Sequence, residues 1–299
     1  MHKQGIALAG IVLFFIGCNA QAVRFATFNI RRAGWEAQEK HRWENRKASA
    51  CKALNDIHPD ILGMQEVTSQ QREDIVSALS EYAVFGEPRS VFVAGVLQYA
   101  VMHTNLFGMI WEKYKAQDEQ CPIFYNTNTL TLKEYGTFGI NPAWYGLTSY
   151  VPRICTWGLF EEKATSKKFY VYNVHLDNTS SVFRYNQLEL VLTDIKRRTH
   201  DQPVILMGDF NANMFVKGAD MGLVQQLADA HLFLAKSIAQ TISGPTQTRT
   251  GWDCEQLKMI DHIFMRSEQS QVLNYVVVEN EVNDVMISDH RPVYTDIAF

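Results

Sequence analysis

The sequence predicts an α/β fold, a four-layer sandwich in which two facing, mainly antiparallel β-sheets are flanked by helices. Each half of the chain combines short apolar runs that are typical of strands with one long amphipathic helix. Several of the runs follow one another closely enough to pair as antiparallel hairpins. With 299 residues, 46% of them hydrophobic, the chain is long enough to bury one large core between the sheets.

The first half begins with a strand and an amphipathic helix. This helix, residues 42–57, places Trp43, Leu54 and Ile57 on its apolar side, and Pro59 ends it. The strands predicted in this half cover residues 23–30, 60–65, 82–85, 123–125, 129–138, 154–161 and 169–175, with a second helix at 70–80.

The second half repeats the pattern. Helices are predicted at residues 182–197 and 223–228, and strands at 203–207, 260–265, 271–279 and 293–299. One apolar insertion, residues 91–111, is interrupted by polar side chains and lacks a basic face. It is therefore interpreted as a lid or packed excursion beside a cleft rather than as a membrane contact.

Residues 1–22 differ from the rest of the chain. A weakly basic start precedes an apolar stretch, residues 5–17, that is too short to span a bilayer. This pattern predicts an export signal, either a secretory signal cleaved after Ala22 or a lipoprotein signal that anchors the chain at Cys18. The protein is then periplasmic, secreted or lipid-anchored at the cell envelope, and residues 23–299 form one domain.

Charge and cysteine content narrow the function. The net charge of −4 argues against the broad basic surface of non-specific nucleic-acid binders, although a local basic groove stays open. Apart from Cys18, four cysteines allow three full disulfide pairings in an oxidising compartment. The sequence contains no Cys-x-x-Cys pair, so the cysteine spacing does not resemble that of a zinc site.

The most informative motif is Asp209-Phe210-Asn211, which directly follows an apolar strand. Because side chains alternate along a strand, Asp209 and Asn211 point the same way. Open α/β sheets place their chemistry at the carboxyl ends of strands. The motif therefore predicts a polar site at this edge of a sheet.

Other apolar runs end in the same manner. Their polar residues are Asn29, Glu66, His175, Asp261 and the pair Asp289-His290. Taken singly, Glu66 has a structural alternative as a helix-capping acid, Asn29 as a turn former and His175 as a buried core histidine. Their joint occurrence at strand ends favours a functional site.

In this order, these residues resemble the endonuclease/exonuclease/phosphatase superfamily, whose best-known fold is that of deoxyribonuclease I. The most specific matches are Gly208-Asp209-Phe210-Asn211 and Ser288-Asp289-His290-Arg291-Pro292, supported by residues 27–31 and 65–66. The segments 43–46 and 152–154 resemble a bacterial branch of the superfamily. The resemblance covers nearly all of residues 23–299 and implies the same four-layer fold.

The resemblance also implies a metal site. Glu66 would be the main ligand of Mg²⁺, with Asn29 and Asp289 beside it, and Mn²⁺ could substitute. Carboxylate and amide oxygens suit these hard cations.

The catalytic roles are likewise implied by the resemblance. Asp209 would orient or deprotonate the attacking water, and Asn211 would hold that water or a phosphate oxygen. His290, oriented by Asp261, would face the phosphate. His175 would donate to the developing charge, and Arg153 would contact the phosphate.

The sequence therefore predicts an exported, Mg²⁺-dependent phosphoester hydrolase that uses a metal-assisted water. A phosphodiesterase or nuclease of the endonuclease or 3′–5′ exonuclease type is favoured. A sugar or inositol phosphatase, a sphingomyelinase-like lipid phosphodiesterase and, from another class, a catalytically inactive binding module are the alternatives. Its partner is a phosphoester substrate, which includes nucleic acid; membrane contact would come only through an anchor at Cys18 or a lipid substrate, and a monomer is expected.

Overall fold

The computed structural model describes residues 22–92, 119–141, 152–215, 218 and 220–299. The predictions of an export signal and of a lid at 91–111 fall almost wholly outside these ranges. None of the helices in the described ranges is long and apolar enough to cross a membrane.

Strands make up most of the regular structure. They are β1 Val23–Asn29, β2 Ile61–Gln65, β3 Val67–Thr68, β4 Tyr82–Phe85, β5 Glu119–Gln120, β6 Ile123–Asn126, β7 Leu130–Gly139, β8 Ile154–Glu162, β9 Lys168–His175, β10 Val204–Asp209, β11 Phe233–Leu234, β12 Thr241–Ser243, β13 Asp261–Arg266, β14 Gln271–Val272, β15 Asn274–Val277, β16 Glu281–Val282, β17 Val285–Met286 and β18 Val293–Ala298. The α-helices are α1 Trp43–Ile57, α2 Ser69–Ala78, α3 Ser181–Thr199, α4 Met221–Asp229 and α5 Ala235–Ile238, and two 3₁₀ turns cover Glu39–His41 and Arg89–Phe92.

The strands form two main sheets. The first has the order β12-β15-β18-β1-β2-β6-β4, with β14 also paired to β18, and the second has the order β11-β13-β10-β9-β8-β7. Most neighbours are antiparallel, but each sheet contains a central parallel pair, β1 with β2 and β9 with β10. The predicted fold class is confirmed.

The core has three layers of apolar side chains. Between the sheets, Phe25 and Ile61 from the first sheet and Phe160 and Ile205 from the second belong to one buried cluster. A second cluster packs α3 against the outer side of the second sheet, and a third packs α1 and α2 against the outer side of the first. Helix, sheet, sheet and helix therefore form the four layers.

One predicted strand, residues 271–279, is interrupted. At Leu273 the register against β18 shifts by one residue, which separates β14 from β15. The Oδ1 of Asn274 accepts a hydrogen bond of 2.8 Å from the backbone N–H of Asp296 at this point. A side chain thus replaces part of the ladder, as in a β-bulge.

The two sheets approach each other closely near the carboxyl ends of β2 and β9. Here Gln65 Nε2 donates to Asn173 Oδ1 at 2.7 Å, and Asn173 Nδ2 donates to the carbonyls of Met64 and Pro122. A Cβ on Gly63 would lie 2.8 Å from Met207 Cε. The absence of a side chain at Gly63 lets the sheets meet, and the parallel pairs of both sheets end together just above this point.

Candidate active site

The floor of the site is a carboxamide between two carboxylates. Asn29, the last residue of β1, donates from Nδ2 to Asp209 Oδ2 at 3.0 Å and to Glu66 Oε1 at 3.3 Å. Its Oδ1 accepts the backbone N–H of Arg31 at 3.0 Å, and the backbone N–H of Arg32 donates to Glu66 Oε2 at 3.1 Å. Asn29 therefore fixes the orientation of one acid from each sheet.

Unusual backbone conformations aim these side chains. Glu66 has φ 60° and Asn211 has φ 51°, in the left-handed region that ordinary residues avoid. Such strain costs about 1 kcal/mol or more per residue and concentrates at functional sites. The sharp turns let Glu66 and Asn211 turn back over the ends of β2 and β10.

Asn211 is tied to its own turn. Its backbone N–H donates to Asp209 Oδ1 at 2.8 Å, and its Nδ2 donates to the carbonyl of Leu176 at 3.0 Å. The predicted contact with water or phosphate is therefore left to its Oδ1 or its second amide hydrogen.

His290 and Asp261 form a buried pair across two strand ends. His290 Nδ1 lies 2.9 Å from Asp261 Oδ2 and 3.2 Å from Oδ1. Thr248 Oγ1 accepts the backbone N–H of Asp261 at 3.0 Å and so fixes the start of β13. The Nε2 of His290 faces Asp209 Oδ2 at 3.9 Å, which leaves this nitrogen directed at the cleft.

His175, at the end of β9, lies on the other side of Asp209. Its Nε2 is 3.6 Å from Asp209 Oδ2, and its Nδ1 is 3.8 Å from Glu119 Oε1. The strand register explains this placement, because His175 and Asp261 are the two neighbours of Asp209 in adjacent strands.

The sequence analysis missed Glu119 and two of the three arginines around it, Arg32 and Arg89. Arg89 Nη1 lies 2.6 Å from Glu119 Oε1, Arg32 Nη1 lies 3.5 Å from Oε2, and the predicted phosphate contact Arg153 lies 4.0 Å from Oε1. Glu119 starts a two-residue strand and carries no local signal. Arg32 stands directly beyond the Asn29 motif, where a search for cations beside strand ends could have found it.

The structure thus brings the sequence-predicted residues to one edge of the sandwich. Six of them surround Asp209, namely Asn29, Glu66, His175, Asn211, Asp261 and His290. Arg153 is connected to this group through Glu119. Asp289 is connected to it through Arg31, whose Nη1 lies 4.0 Å from Asp289 Oδ2.

Comparison with known proteins gives the same family. A model of the endonuclease/exonuclease/phosphatase family matches residues 26–290, most of the chain. The protein belongs to this family.

Related proteins cover the chain almost fully. A family structure from Bacteroides vulgatus is 27% identical with a TM-score of 0.76, and covers 93% of this chain and 98% of that one. The mannosyl-6-phosphatase of Bacteroides thetaiotaomicron is 26% identical with a TM-score of 0.74, covering 93% and 100%. An uncharacterised protein of Acanthamoeba polyphaga mimivirus is 24% identical over 283 residues, 85% of this chain and 91% of that protein.

Family enzymes are phosphoesterases that generally use a divalent metal, and the residues at this edge fit a hard cation. Asp289 Oδ1 is buried and has no hydrogen-bond partner among the described residues, which leaves a ligand atom free. Arg31 Nη1, 3.7 Å from Glu66 Oε2 and 4.0 Å from Asp289 Oδ2, marks the place where positive charge is stabilised. Glu66 and Asp289 could therefore supply oxygen ligands, and Asn29 holds Glu66 in place by a hydrogen bond of 3.3 Å.

A second group of ligand atoms fits a cation less well. One atom each from Asp209, Asp261 and His290 lies within 4.8 Å of the others. However, both oxygens of Asp261 face His290 Nδ1, and a protonated histidine has no lone pair to offer a metal. These three residues are better described as an acid–histidine pair, Asp261 with His290, beside Asp209.

The two floor carboxylates differ in acidity. Burial, together with the charge of Asp261, raises the pKa of Asp209 to about 7. Burial would also raise the pKa of Glu66, but the neighbouring His175 and Arg31 and the backbone N–H of Arg32 outweigh it and lower the pKa to about 2. This difference in pKa lets one carboxylate exchange a proton near neutral pH while the other stays ionised.

The pKa values of the two histidines, His290 and His175, also shift in opposite directions. Burial opposes the charged form of His290, but Asp261 outweighs it and raises the pKa to about 10. Burial and the neighbouring Arg153 hold the pKa of His175 well below its usual range. One imidazolium and one neutral imidazole therefore flank Asp209.

Proposed function

We propose that the protein is a Mg²⁺-dependent hydrolase of small phosphoesters that directs a water molecule onto phosphorus without a covalent enzyme intermediate. The observation that carries the proposal is the buried Asp209, with a pKa near neutrality, lying between an acid–histidine pair and the ionised Glu66.

Glu66 and Asp289 would hold Mg²⁺, or Mn²⁺ in its place, with Asn29 keeping Glu66 in position. When bound, the cation supplies Lewis-acid stabilisation of the phosphate charge. Arg31 would shift toward the substrate, because it lies between the same two carboxylates.

Asp209 would accept the proton of the attacking water. The hydrogen bond from Asn29 to Oδ2 and that from the Asn211 N–H to Oδ1 hold its carboxylate in one orientation. A base with a pKa near the working pH combines availability with proton affinity.

His290 would stabilise the negative charge that grows on the phosphate, because its Nε2 points to the cleft while Asp261 binds Nδ1. His175 would donate a hydrogen bond on the other side. Arg153, buried beside Glu119, would grip a non-bridging oxygen.

We favour phosphomonoesters of polar alcohols such as sugars as the substrate class. A cavity of about 440 Å³ opens beside Asp289, a size that suits a small ligand. The net charge of −4 disfavours a polyanion, and one similar family structure, 26% identical, is a mannosyl-6-phosphatase. The nuclease activity that the sequence analysis favoured stays a prediction, and the experiment below tests it as well.

The test is release of inorganic phosphate or of an alcohol by residues 23–299. Substrates are mannose 6-phosphate, an inositol phosphate, DNA, RNA and sphingomyelin, each with Mg²⁺ and with EDTA. We expect EDTA-sensitive turnover that is fastest on the sugar phosphate.

Asp209→Ala is the blank that separates the protein's own activity from a contaminant. If DNA or RNA is hydrolysed much faster than sugar phosphates, nucleic acid is the substrate class, and the proposed metal-assisted hydrolysis still holds. Mg²⁺-independent turnover, or turnover that survives in Asp209→Ala, would contradict the proposal itself.

A further inference from the structure

A cavity adjoins Asp289, one of the two proposed metal ligands. Its volume is about 440 Å³, and Arg31 and Asp289 form the wall it shares with the active site. A substrate whose phosphate reaches Asp289 would therefore extend its alcohol portion into this cavity. Residues of the 3₁₀ turn at Glu39–His41 and of the loop that begins at Arg249 line it.

One wall is aromatic. The imidazole of His41 stacks on the indole of Trp252 with ring centroids 4.1 Å apart and planes inclined by 11°. His41 is buried whereas Trp252 is half-buried. The buried imidazole therefore supports the indole, and Trp252 contributes to the cavity wall. An aromatic ring offers a rigid, low-entropy surface to the carbon skeleton of a ligand.

Two cations line the cavity without a partner. Neither Arg249 nor Lys40 has an ion pair or a side-chain hydrogen bond within the described part of the chain. The backbone of Arg249 is nevertheless fixed, because its N–H and carbonyl both pair with Lys258 at 2.9 Å. An anchored, half-buried guanidinium that no carboxylate neutralises is suited to a ligand anion.

The acidic groups of the cavity do not cancel this charge. Asp289 is assigned to the metal, and Asp253 is exposed, with Oδ1 accepting the backbone N–H of Glu255 at 3.2 Å. The remaining oxygen of Asp253 can accept hydrogen bonds from hydroxyl groups. Cations, a carboxylate and an indole together suit a polyhydroxylated, negatively charged ligand.

We propose that this cavity is the subsite for the alcohol portion of the substrate and selects phosphosugars whose alcohol carries a second anionic group. This inference rests on the proposed phosphoester hydrolysis. Arg249 and Lys40 bind the second anion, Trp252 packs against the sugar, and Arg31 lies between the second anion and the reacting phosphate.

The test measures binding separately from turnover. Mannose 6-phosphate and mannose 1,6-bisphosphate differ by one anionic group, and calorimetry with Mg²⁺ on Asp209→Asn reports their affinities while hydrolysis is blocked. We expect the bisphosphate to bind about tenfold more tightly or better. Adding Arg249→Gln or Lys40→Gln should reduce this preference to below about threefold.

Lys133→Gln is the matched control, because this exposed lysine lies on edge strand β7 and pairs with Glu161 at 3.3 Å, outside the cavity lining. It should keep the full preference. Thermal unfolding of each variant checks that the fold is intact.

The outcomes separate the two proposals. Equal binding of both probes, or a preference unaffected by Arg249→Gln, overturns the subsite even if wild type hydrolyses both compounds. A preference that depends on Arg249, combined with no phosphate release by wild type, supports the subsite and overturns the proposed hydrolase function.

Discussion

Two carboxylates one side chain apart divide the work of the site. Asn29 donates to both Asp209 and Glu66 through the same nitrogen. Burial and the like charge of Asp261 raise the pKa of Asp209, whereas His175, Arg31 and the backbone N–H of Arg32 lower the pKa of Glu66. In the proposed mechanism, the environment and not the residue type therefore suits Asp209 to proton transfer and Glu66 to cation binding.

Replacing Asp209 tests its role as the base. Asp209→Asn keeps the size and shape of the side chain and one accepting oxygen, but it loses one of the two hydrogen bonds from Asn29 and the Asn211 N–H and cannot act as a base. We expect kcat to fall by about 100-fold or more, with the unfolding temperature little changed. Asp229→Asn, an exposed acid at the end of α4, is the control, and equal kcat values in the two variants would refute the role.

The pH profile should report Asp209. Its raised pKa means that a proton binds as the pH falls through about 7, and a protonated carboxyl cannot act as the base. We expect kcat/KM to decrease on the acidic side with a midpoint between about pH 5 and about pH 7, since a bound cation favours the ionised form and lowers the pKa. Glu66, with a pKa of about 2, stays charged throughout. A flat profile from about pH 5 to about pH 8 would speak against this assignment.

The residues that sequence could predict stand directly at strand ends. Asn29, His175 and Asp209 follow apolar runs, so their position and direction follow from strand geometry alone. Glu119 and Arg89 could not be predicted in this way, because they meet only through tertiary packing from a two-residue strand and a 3₁₀ turn. The role of Asp289 depends on Arg31 and Glu66, which are far from it in sequence.

At the scale of elements, Gly208 decides how β10 delivers Asp209. It has φ 144°, and a Cβ there would lie 1.9 Å from the carbonyl oxygen of Val174 in β9. The contact is with backbone, so no side-chain rotation can relieve it. The close approach keeps His175 and Asp209 adjacent across the two strands.

Gly208→Ala should therefore disturb both stability and activity. We expect a loss of about 2 to 3 kcal/mol in the free energy of unfolding, because the added methyl group forces β9 and β10 apart. Chemical denaturation measures it. Gly218→Ala, where a Cβ would meet nothing within 4 Å, should stay within about 0.5 kcal/mol of wild type. Similar losses in the two variants would contradict the role given to Gly208.

Element positions were largely predictable from local patterns. The strand at 82–85 is found where expected, and helix 42–57 begins one residue later, at Trp43. The break at Leu273 was not predicted, since no glycine or proline marks it and its cause is the pairing of Asn274 with Asp296 in another strand. The order of strands within each sheet is equally non-local.

At the scale of the whole molecule, the site joins the two sheets. In the first sheet, Asn29 ends β1 and Glu66 directly follows β2, whereas in the second sheet His175 and Asp209 end β9 and β10. The amides of Gln65 and Asn173 bind the sheets together directly below. A cation held here would therefore stabilise the sandwich as a unit.

Mg²⁺ should raise the stability of the folded protein, because the unfolded chain lacks the assembled ligands. At a concentration of about 100 times Kd, the gain is about 2.7 kcal/mol. Thermal unfolding with Mg²⁺ and with EDTA measures it. We expect Glu66→Gln to lose most of the gain and Glu73→Gln, an exposed position on α2, to keep it. An equal gain in both variants would place the cation elsewhere.

The measurement that tests the central claim most directly is a Mg²⁺ titration of phosphate release from mannose 6-phosphate, run on EDTA-stripped wild type, Glu66→Gln and Glu73→Gln. We expect saturable activation of wild type and Glu73→Gln from a baseline near zero, and a half-saturating Mg²⁺ concentration at least about tenfold higher for Glu66→Gln. Full activity without added metal, or identical titration curves for all three proteins, would contradict a metal-assisted hydrolase built around Glu66 and Asp209.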